Sequence, residues 1–316
     1  MTPMSLLNKK TAGTIIAVLI VLCIIFAALW LAERRTADRA FSNPYPLVDP
    51  SRAFIEQKNF IVNLEPLREE LARLVAERDD WTVVLYFEFL NTGSNISLNP
   101  NTRVWPASLL KLPMAIAVMK RVENGAWSLQ DELELKESDR GKKYGTLWQA
   151  PVGSTFTIER LLREMLANSD NTAYNIFARQ IEFDEFIDIV VELGIEDLFN
   201  EAGLMSAKEY SRLFRSLYAS SLVNRERSQQ LLTMMGESGF EDFIGNGIPE
   251  GVLFSHKFGV QEDLHTYLDS GIVYVPGRPY VITAGVKGTG KPGEREDIEA
   301  FMKEIGEATF TYVRDR

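Results

Sequence analysis

A mixed α/β fold is predicted, with one sheet flanked by helices beside an all-helical lobe, preceded by a transmembrane helix. Three observations predict it. β-rich runs lie at both ends of the folded part, residues 158–235 between them read almost wholly as helix, and residues 11–32 carry no charge at all. At ~1.5 Å per residue, that uncharged run gives a helix of ~33 Å, enough for a hydrocarbon core of ~30 Å.

In chain order, residues 1–10 form a short N-terminus and 11–32 a membrane anchor. A cleaved signal peptide is the rival reading, but Leu29 and Trp30 stand where small residues would precede a cleavage site. Cys23, the single cysteine, sits mid-span as a buried apolar thiol. Residues 33–63 are irregular and carry prolines (Asn43-Pro-Tyr-Pro, Val48-Asp-Pro), and read as a stalk. The folded domain is then 64–316, with a sheet lobe of 64–104 and 250–316 and a helical lobe of 105–249.

Within it, Leu64 to Glu77 has helical spacing capped by Asn63, and Trp81 to Leu90 is a β-rich run ending in Asn91-Thr-Gly-Ser-Asn turn residues. A helix follows from Ser108 to Val122, then helical segments at 158–167, 171–180, 184–193, 206–219 and 224–235. Val252–Phe258, Gly271–Val275 and Tyr280–Gly285 read as strands, and Glu294–Tyr312 as a terminal helix. The cleft between the two lobes is where a ligand would lie.

The chain has 316 residues, 46% hydrophobic and 25% charged, which supports a full core and excludes a disordered protein. Its net charge is −10; without residues 1–35, 30 basic residues face 43 acidic ones, leaving −13. That balance argues against nucleic acid as a partner, since phosphate binding needs a basic face. Oligomeric state is not legible.

The chemistry concentrates in Trp105-Pro-Ala-Ser108-Leu-Leu-Lys111-Leu-Pro. Ser108 and Lys111 are three residues apart, so one helical face brings the amine to the hydroxyl, and a lysine whose pKa is lowered by burial can take the serine's proton. Two further motifs follow: Ser169-Asp170-Asn171 and Lys257-Phe258-Gly259. Alone, each has a plainer explanation. Ser-Asp-Asn reads as a helix cap, with the helix starting at Asn171, and Lys257 as a solvated lysine at a strand end.

The ordered set Ser108-x-x-Lys111, Ser169-Asp170-Asn171 and Lys257-x-Gly259 resembles the class A β-lactamase and penicillin-binding serine hydrolase superfamily. The resemblance extends from Trp81 to the C-terminal helix. It implies an antiparallel sheet of the β-lactamase/transpeptidase type, no metal or organic cofactor, and Ser108 as the nucleophile with Lys111 as general base. It further implies that Ser169 relays a proton to the leaving nitrogen and that Asn171 binds the substrate amide. Lys257 would depress the pKa of Lys111 or Ser169 and attract a substrate carboxylate, and the N–H groups of Ser108 and Val260, beside Gly259, would form an oxyanion hole. Asp170 would turn inward to hold its loop.

Two positions depart from the pattern. Phe258 replaces a Thr or Ser whose hydroxyl binds the substrate carboxylate. Glu196-Asp-Leu-Phe-Asn200 is the nearest text to the loop that carries a deacylating glutamate, in a stretch too short for the full loop; Glu196 is therefore either that base or a solvent-facing carboxylate at a helix end. The resemblance implies small D-alanyl-D-alanine-type peptide or β-lactam substrates, met by a D,D-peptidase. Its rivals are a true β-lactamase using Glu196 and a sensor that acylates once without turnover. Lys9 and Lys10 compete with Arg34, Arg35 and Arg39 for the cytoplasmic side, so charge leaves orientation open. A peptidoglycan substrate puts residues 1–10 in the cytoplasm and the domain outside it.

Two decoys complete the reading. Gly285-Val-Lys-Gly-Thr-Gly290-Lys291-Pro292 nearly spells a phosphate-binding loop, but Pro292 stands where a Mg²⁺-ligating Ser or Thr belongs, so it reads as a turn. His256 and His265 are the two histidines; they form no zinc cluster, and a Ser-His-Asp triad through His265 is redundant when Lys111 supplies the base.

Overall fold

The computed structural model describes residues 14–28, 45–48, 59–60, 63–192, 194, 198–199, 202–240 and 242–316. Two compact units emerge, Met1–Pro44 and Tyr45–Arg316. In the first, the described residues form helix α1 (14–28), whose apolar side chains are exposed. Among the described residues no helix is long and apolar enough to cross a membrane. The remainder of the 11–32 run lies outside the described residues.

The second unit opens with α2 (Glu65–Ala76), the strand pair β1 (Thr82–Phe89) and β2 (Ser94–Leu98), and α3 (Lys111–Glu123). A small sheet of β3 (Glu132–Glu134) and β4 (Thr155–Thr157) then precedes five helices: α4 (Ile158–Ala167), α5 (Asn171–Ala178), α6 (Phe183–Glu192), α7 (Ala207–Ala219) and α8 (Arg225–Gly236). The chain returns through β5 (Phe254–Gln261), β6 (Thr266–Val273) and β7 (Tyr280–Lys287) and ends in α9 (Glu294–Asp315). The main sheet has the order β2-β1-β7-β6-β5 and is antiparallel throughout. Strand β5 is therefore an edge, and one of its sides is free to face a ligand.

Both faces of the sheet are covered, which is why β1 reads as a nearly unbroken apolar run rather than an alternation. Val84 and Tyr86 join the core shared with the helical lobe, whereas Val83, Leu85, Phe87 and Phe89 join the core under α2 and α9. Strand β6 starts earlier than the apolar pattern suggests, because its first half carries buried polar residues: Asp269 pairs with His256, and Ser270 with Thr283. The β3–β4 pair, three residues a side, was too short to register as a pattern.

Two domain boundaries are corrected. The folded unit does not begin at 64: Leu47 and Val48 are buried in the main core, and Leu47 donates its N–H to Gln229 Oε1 and accepts from Tyr274 Oη, each at 2.8 Å. Part of the expected stalk is thus packed on the domain. Nor does the helical lobe run to 249, because Phe243 and Ile244 belong to the sheet-side core and the Gly245–Gly247 turn abuts α9. A Cβ on Gly247 would fall 2.2 Å from the Lys303 carbonyl oxygen, so the two backbones touch there.

The near-phosphate loop between β7 and α9 is filled by the chain itself. The Glu294 carboxylate accepts from Thr289 N (2.8 and 2.9 Å), Thr289 Oγ1 (2.7 Å), Gly290 N (2.6 Å) and Trp81 Nε1 (3.0 Å). Burial alone would raise this carboxyl, but those donors outweigh it and bring its pKa down to about 2. A depressed acid stabilises the fold above its unfolded-state pKa, and that contribution is lost as pH falls through the folded-state value. Glu294→Gln is accordingly expected to cost on the order of 1–3 kcal/mol at pH 7 in urea unfolding. The difference from wild type should shrink between pH 4.5 and about 2.

Candidate active site

The nucleophile segment is not the regular helix start that its spacing suggests. Ala107–Leu110 is a 3₁₀ turn, and α3 begins only at Lys111. Three residues per turn eclipse positions i and i+3, which sets Ser108 directly beside Lys111. Pro113 explains what the turn does next. It has no N–H to give the Leu109 carbonyl four residues back, and Tyr210 Oη donates to that oxygen instead, at 2.8 Å. Ala107, immediately before the serine, is held at φ +47°, a left-handed conformation that side-chain-bearing residues adopt at a cost.

The second motif is at once a cap and part of the site. Asp170 caps α5: its Oδ1 accepts from Ala173 N at 2.9 Å, while Oδ2 accepts from Leu147 N at 2.9 Å. Gly145 lets that loop come close, since a Cβ there would lie 2.0 Å from Asp170 Oδ2. Ser169, at φ +52°, directs both its carbonyl and its hydroxyl toward Lys111.

Lys111 Nζ is the meeting point. It donates to the Ser169 carbonyl (2.7 Å) and to Asn171 Oδ1 (2.7 Å), and lies 3.0 Å from both Ser108 Oγ and Ser169 Oγ. A carbonyl or amide oxygen can only accept, so these two use two N–H bonds of the amine. What remains, a third proton or a lone pair, faces the two hydroxyls. The side chain is buried, and that burial, against the opposing pull of Asp170, brings its pKa down to about 7. At neutral pH a large fraction therefore holds a lone pair beside Ser108.

The third motif corrects an expectation about Lys257. Its side chain is buried, its Nζ has no hydrogen-bond partner among the described residues, and the Phe258 ring centroid lies 4.2 Å away. Burial pushes its pKa well below the usual range, with the Lys111 charge pushing the same way. Burial is the leading cause for Lys111 as well. Gly259 is needed for close approach: a Cβ would be 3.0 Å from the Pro106 carbonyl and 3.3 Å from Ser108 N, so β5 lies against the nucleophile turn.

These elements enclose a cleft of ≈ 240 Å³ lined by Ser108, Lys111, Asn171 and Val260 from the expected set. Ser169 and Gly259 stand behind it, Lys257 is not in its lining, and Glu196 lies outside the described residues. Sequence reasoning missed Trp105, Lys143, Tyr144, Tyr174 and Gln261 in the walls. Trp105 and Gly145 flank informative positions, but nothing in the text says that the 141–147 loop folds over Ser-Asp-Asn. Among the described residues the one histidine–carboxylate pair is His256 Nδ1 with Asp269 Oδ1 at 2.7 Å, and His256 is not in the cleft lining.

Residues 66–313 match the sequence model of the beta-lactamase enzyme family. The chain belongs to that family. A relative, Beta-lactamase VEB-1 from Pseudomonas aeruginosa, is 20% identical over 255 residues, covering 72% of this chain and 83% of its own. Among solved structures, PBP-A superposes with a TM-score of 0.72 at 22% identity, covering 80% of this chain and 97% of its own. A PBP-A variant solved as an acyl-enzyme complex with penicillin G gives 0.71 at 22% identity, covering 80% and 98%. A beta-lactamase from Sphaerobacter thermophilus gives 0.70 at 21%, covering 80% and 98%. As a member of this family the chain is a β-lactamase-like serine hydrolase by descent and fold.

Asp170 joins the cap, the 141–147 loop and the lysine's surroundings. Asp170→Asn replaces one accepting oxygen with a donor aimed at a backbone N–H, and is expected to lose on the order of 1–3 kcal/mol in urea unfolding.

Proposed function

We propose that this protein is a membrane-anchored serine acyl-enzyme hydrolase that acts on D-alanyl-D-alanine-type peptides of peptidoglycan and is acylated by β-lactams. The observation that carries the reading is the buried Lys111 amine, with two obligatory acceptors on one side and the Ser108 hydroxyl 3.0 Å away on the other. In the proposed reaction Ser108 Oγ gives its proton to Lys111 Nζ and attacks the carbonyl carbon of the scissile amide. The N–H groups of Ser108 and Val260 hold the resulting oxyanion. The proton passes from Nζ through Ser169 Oγ, 3.0 Å away, to the leaving nitrogen as the C–N bond breaks. With Asn171 Oδ1 engaged by Lys111, its Nδ2 group is left to donate to the substrate amide. Lys257, buried and coupled to Lys111, disfavours the state in which both amines are charged.

Deacylation separates a D,D-peptidase from a β-lactamase. The D,D-peptidase reading rests on the stretch around Glu196 being too short for a full deacylating loop, which leaves a long-lived acyl-enzyme with β-lactams. The β-lactamase reading rests on Glu196 and draws support from relatives that bear that name. The uncharged run of 11–32 and the exposed apolar surface of α1 support a membrane anchor, with the domain outside the cytoplasm where peptidoglycan is found.

Two measurements test the proposal. Wild type incubated with penicillin G should gain the mass of one acyl group, and Ser108→Ala should gain none; an adduct that forms equally in both defeats the reading. If that adduct persists while Glu196→Gln leaves its lifetime unchanged, the β-lactamase alternative is excluded. The acylation rate should also climb about tenfold per pH unit below pH 7 and level off above it, because only the neutral Lys111 amine accepts a proton.

A further inference from the structure

If the acyl-enzyme reading is right, ligand charge has to be met in the cleft, because penicillins and D-alanyl peptides carry a carboxylate close to the bond that breaks. Lys257 is badly placed to meet it. The side chain is 1% exposed and lies against the Phe258 ring. That ring is held in turn, with Phe240 at 4.3 Å and Tyr144 edge-on at 5.9 Å between centroids. A small hydroxyl side chain at 258 would leave an opening there, whereas a phenyl ring wedged between two aromatics closes it.

Lys143 is placed differently. It lines the cleft together with Ser108 and Val260, its side chain is 46% exposed, and its Nζ lies 3.1 Å from Glu262 Oε2. Lys111 and Lys143 are the two basic side chains among the described lining residues, and Lys111 is committed to Ser108, Ser169 and Asn171. Glu262 is half-exposed and also meets Arg295, Oε1 to Nη1 at 3.4 Å. Exposed pairs of this kind exchange partners at little cost.

We propose that Lys143 binds the substrate carboxylate in this cleft, by exchanging Glu262 for the ligand, while Phe258 keeps Lys257 out of contact with it. Glu262 then stays with Arg295, so the exchange strands no charge. The inference rests on the acyl-enzyme reading and adds a specificity residue that the three motifs do not contain.

The test compares the rates of Ser108 acylation by penicillin G and by its uncharged methyl ester, read by intact mass on the detergent-solubilised full chain. Wild type is expected to favour the acid about five- to tenfold, the effect of one half-exposed charge-assisted contact. Lys143→Met should bring that ratio close to one, and Glu262→Gln, which frees Lys143, should raise it about two- to threefold. A wild-type ratio near one, a ratio that survives Lys143→Met, or one that collapses instead in Arg295→Gln overturns the assignment. Acetylation by a water-soluble N-hydroxysuccinimide ester, mapped by peptide mass, reads the seal separately. Lys143 should label rapidly and Lys257 should not, until Phe258→Thr opens it; equal labelling of both in wild type overturns the seal. Absence of any adduct with acid and ester alike defeats the acyl-enzyme reading and this one with it, whereas adducts whose ratio ignores Lys143 defeat this one alone.

Discussion

Burying one amine governs the architecture of the site. Lys111 is taken out of water and given two oxygens that can only accept, so its remaining valence has nowhere to point but at two hydroxyls. The same burial is a cost to folding. A lysine whose folded-state pKa lies below its unfolded value destabilises the chain while both states are protonated, and the penalty fades only as pH rises from about 7 toward the ordinary lysine value. Reactivity and instability at this position have one origin, and the surrounding packing has to offset the second to keep the first.

That packing comes from both lobes. From the helical lobe, Tyr210 takes over the Leu109 carbonyl that Pro113 cannot bond, and Asp170 ties α5 to the 141–147 loop. From the sheet, β5 is an edge strand whose Gly259 lets its backbone reach the nucleophile turn. The left-handed conformations at Ala107 and Ser169 flank the reacting groups and persist because contacts on either side overdetermine them. Chemistry here is a property of three segments held at fixed spacing rather than of any one of them.

Phe258 illustrates how a single departure changes the electrostatics without changing the fold. It belongs to the aromatic packing with Phe240 and Tyr144, and in filling that space it lies against the Lys257 amine. Two buried lysines repel, and although the Asp269 carboxylate pulls the other way, burial without a hydrogen-bond partner among the described residues leaves the charged form of Lys257 strongly disfavoured. Of the basic side chains among the described lining residues Lys143 is the exposed one, and it shares Glu262 with Arg295.

Much of this protein was legible in the text. Long apolar periodicities marked most of the helices and strands to within a few residues, and the three spaced motifs named the groups that meet at Lys111, because residue type and local spacing are what decide secondary structure and chemical competence. Short or polar elements escaped: β3 and β4 are too brief to show a period, and the start of β6 is masked by Asp269 and Ser270, whose burial is justified only by partners elsewhere. Sequence by itself determined which atoms could react. Tertiary structure alone decided that Ser108 sits on a 3₁₀ turn, that burial brings Lys111 down to about 7, that Lys257 is buried, and that Lys143 reaches the cleft, since desolvation and contact between distant segments are fixed by packing and have no signature in local order.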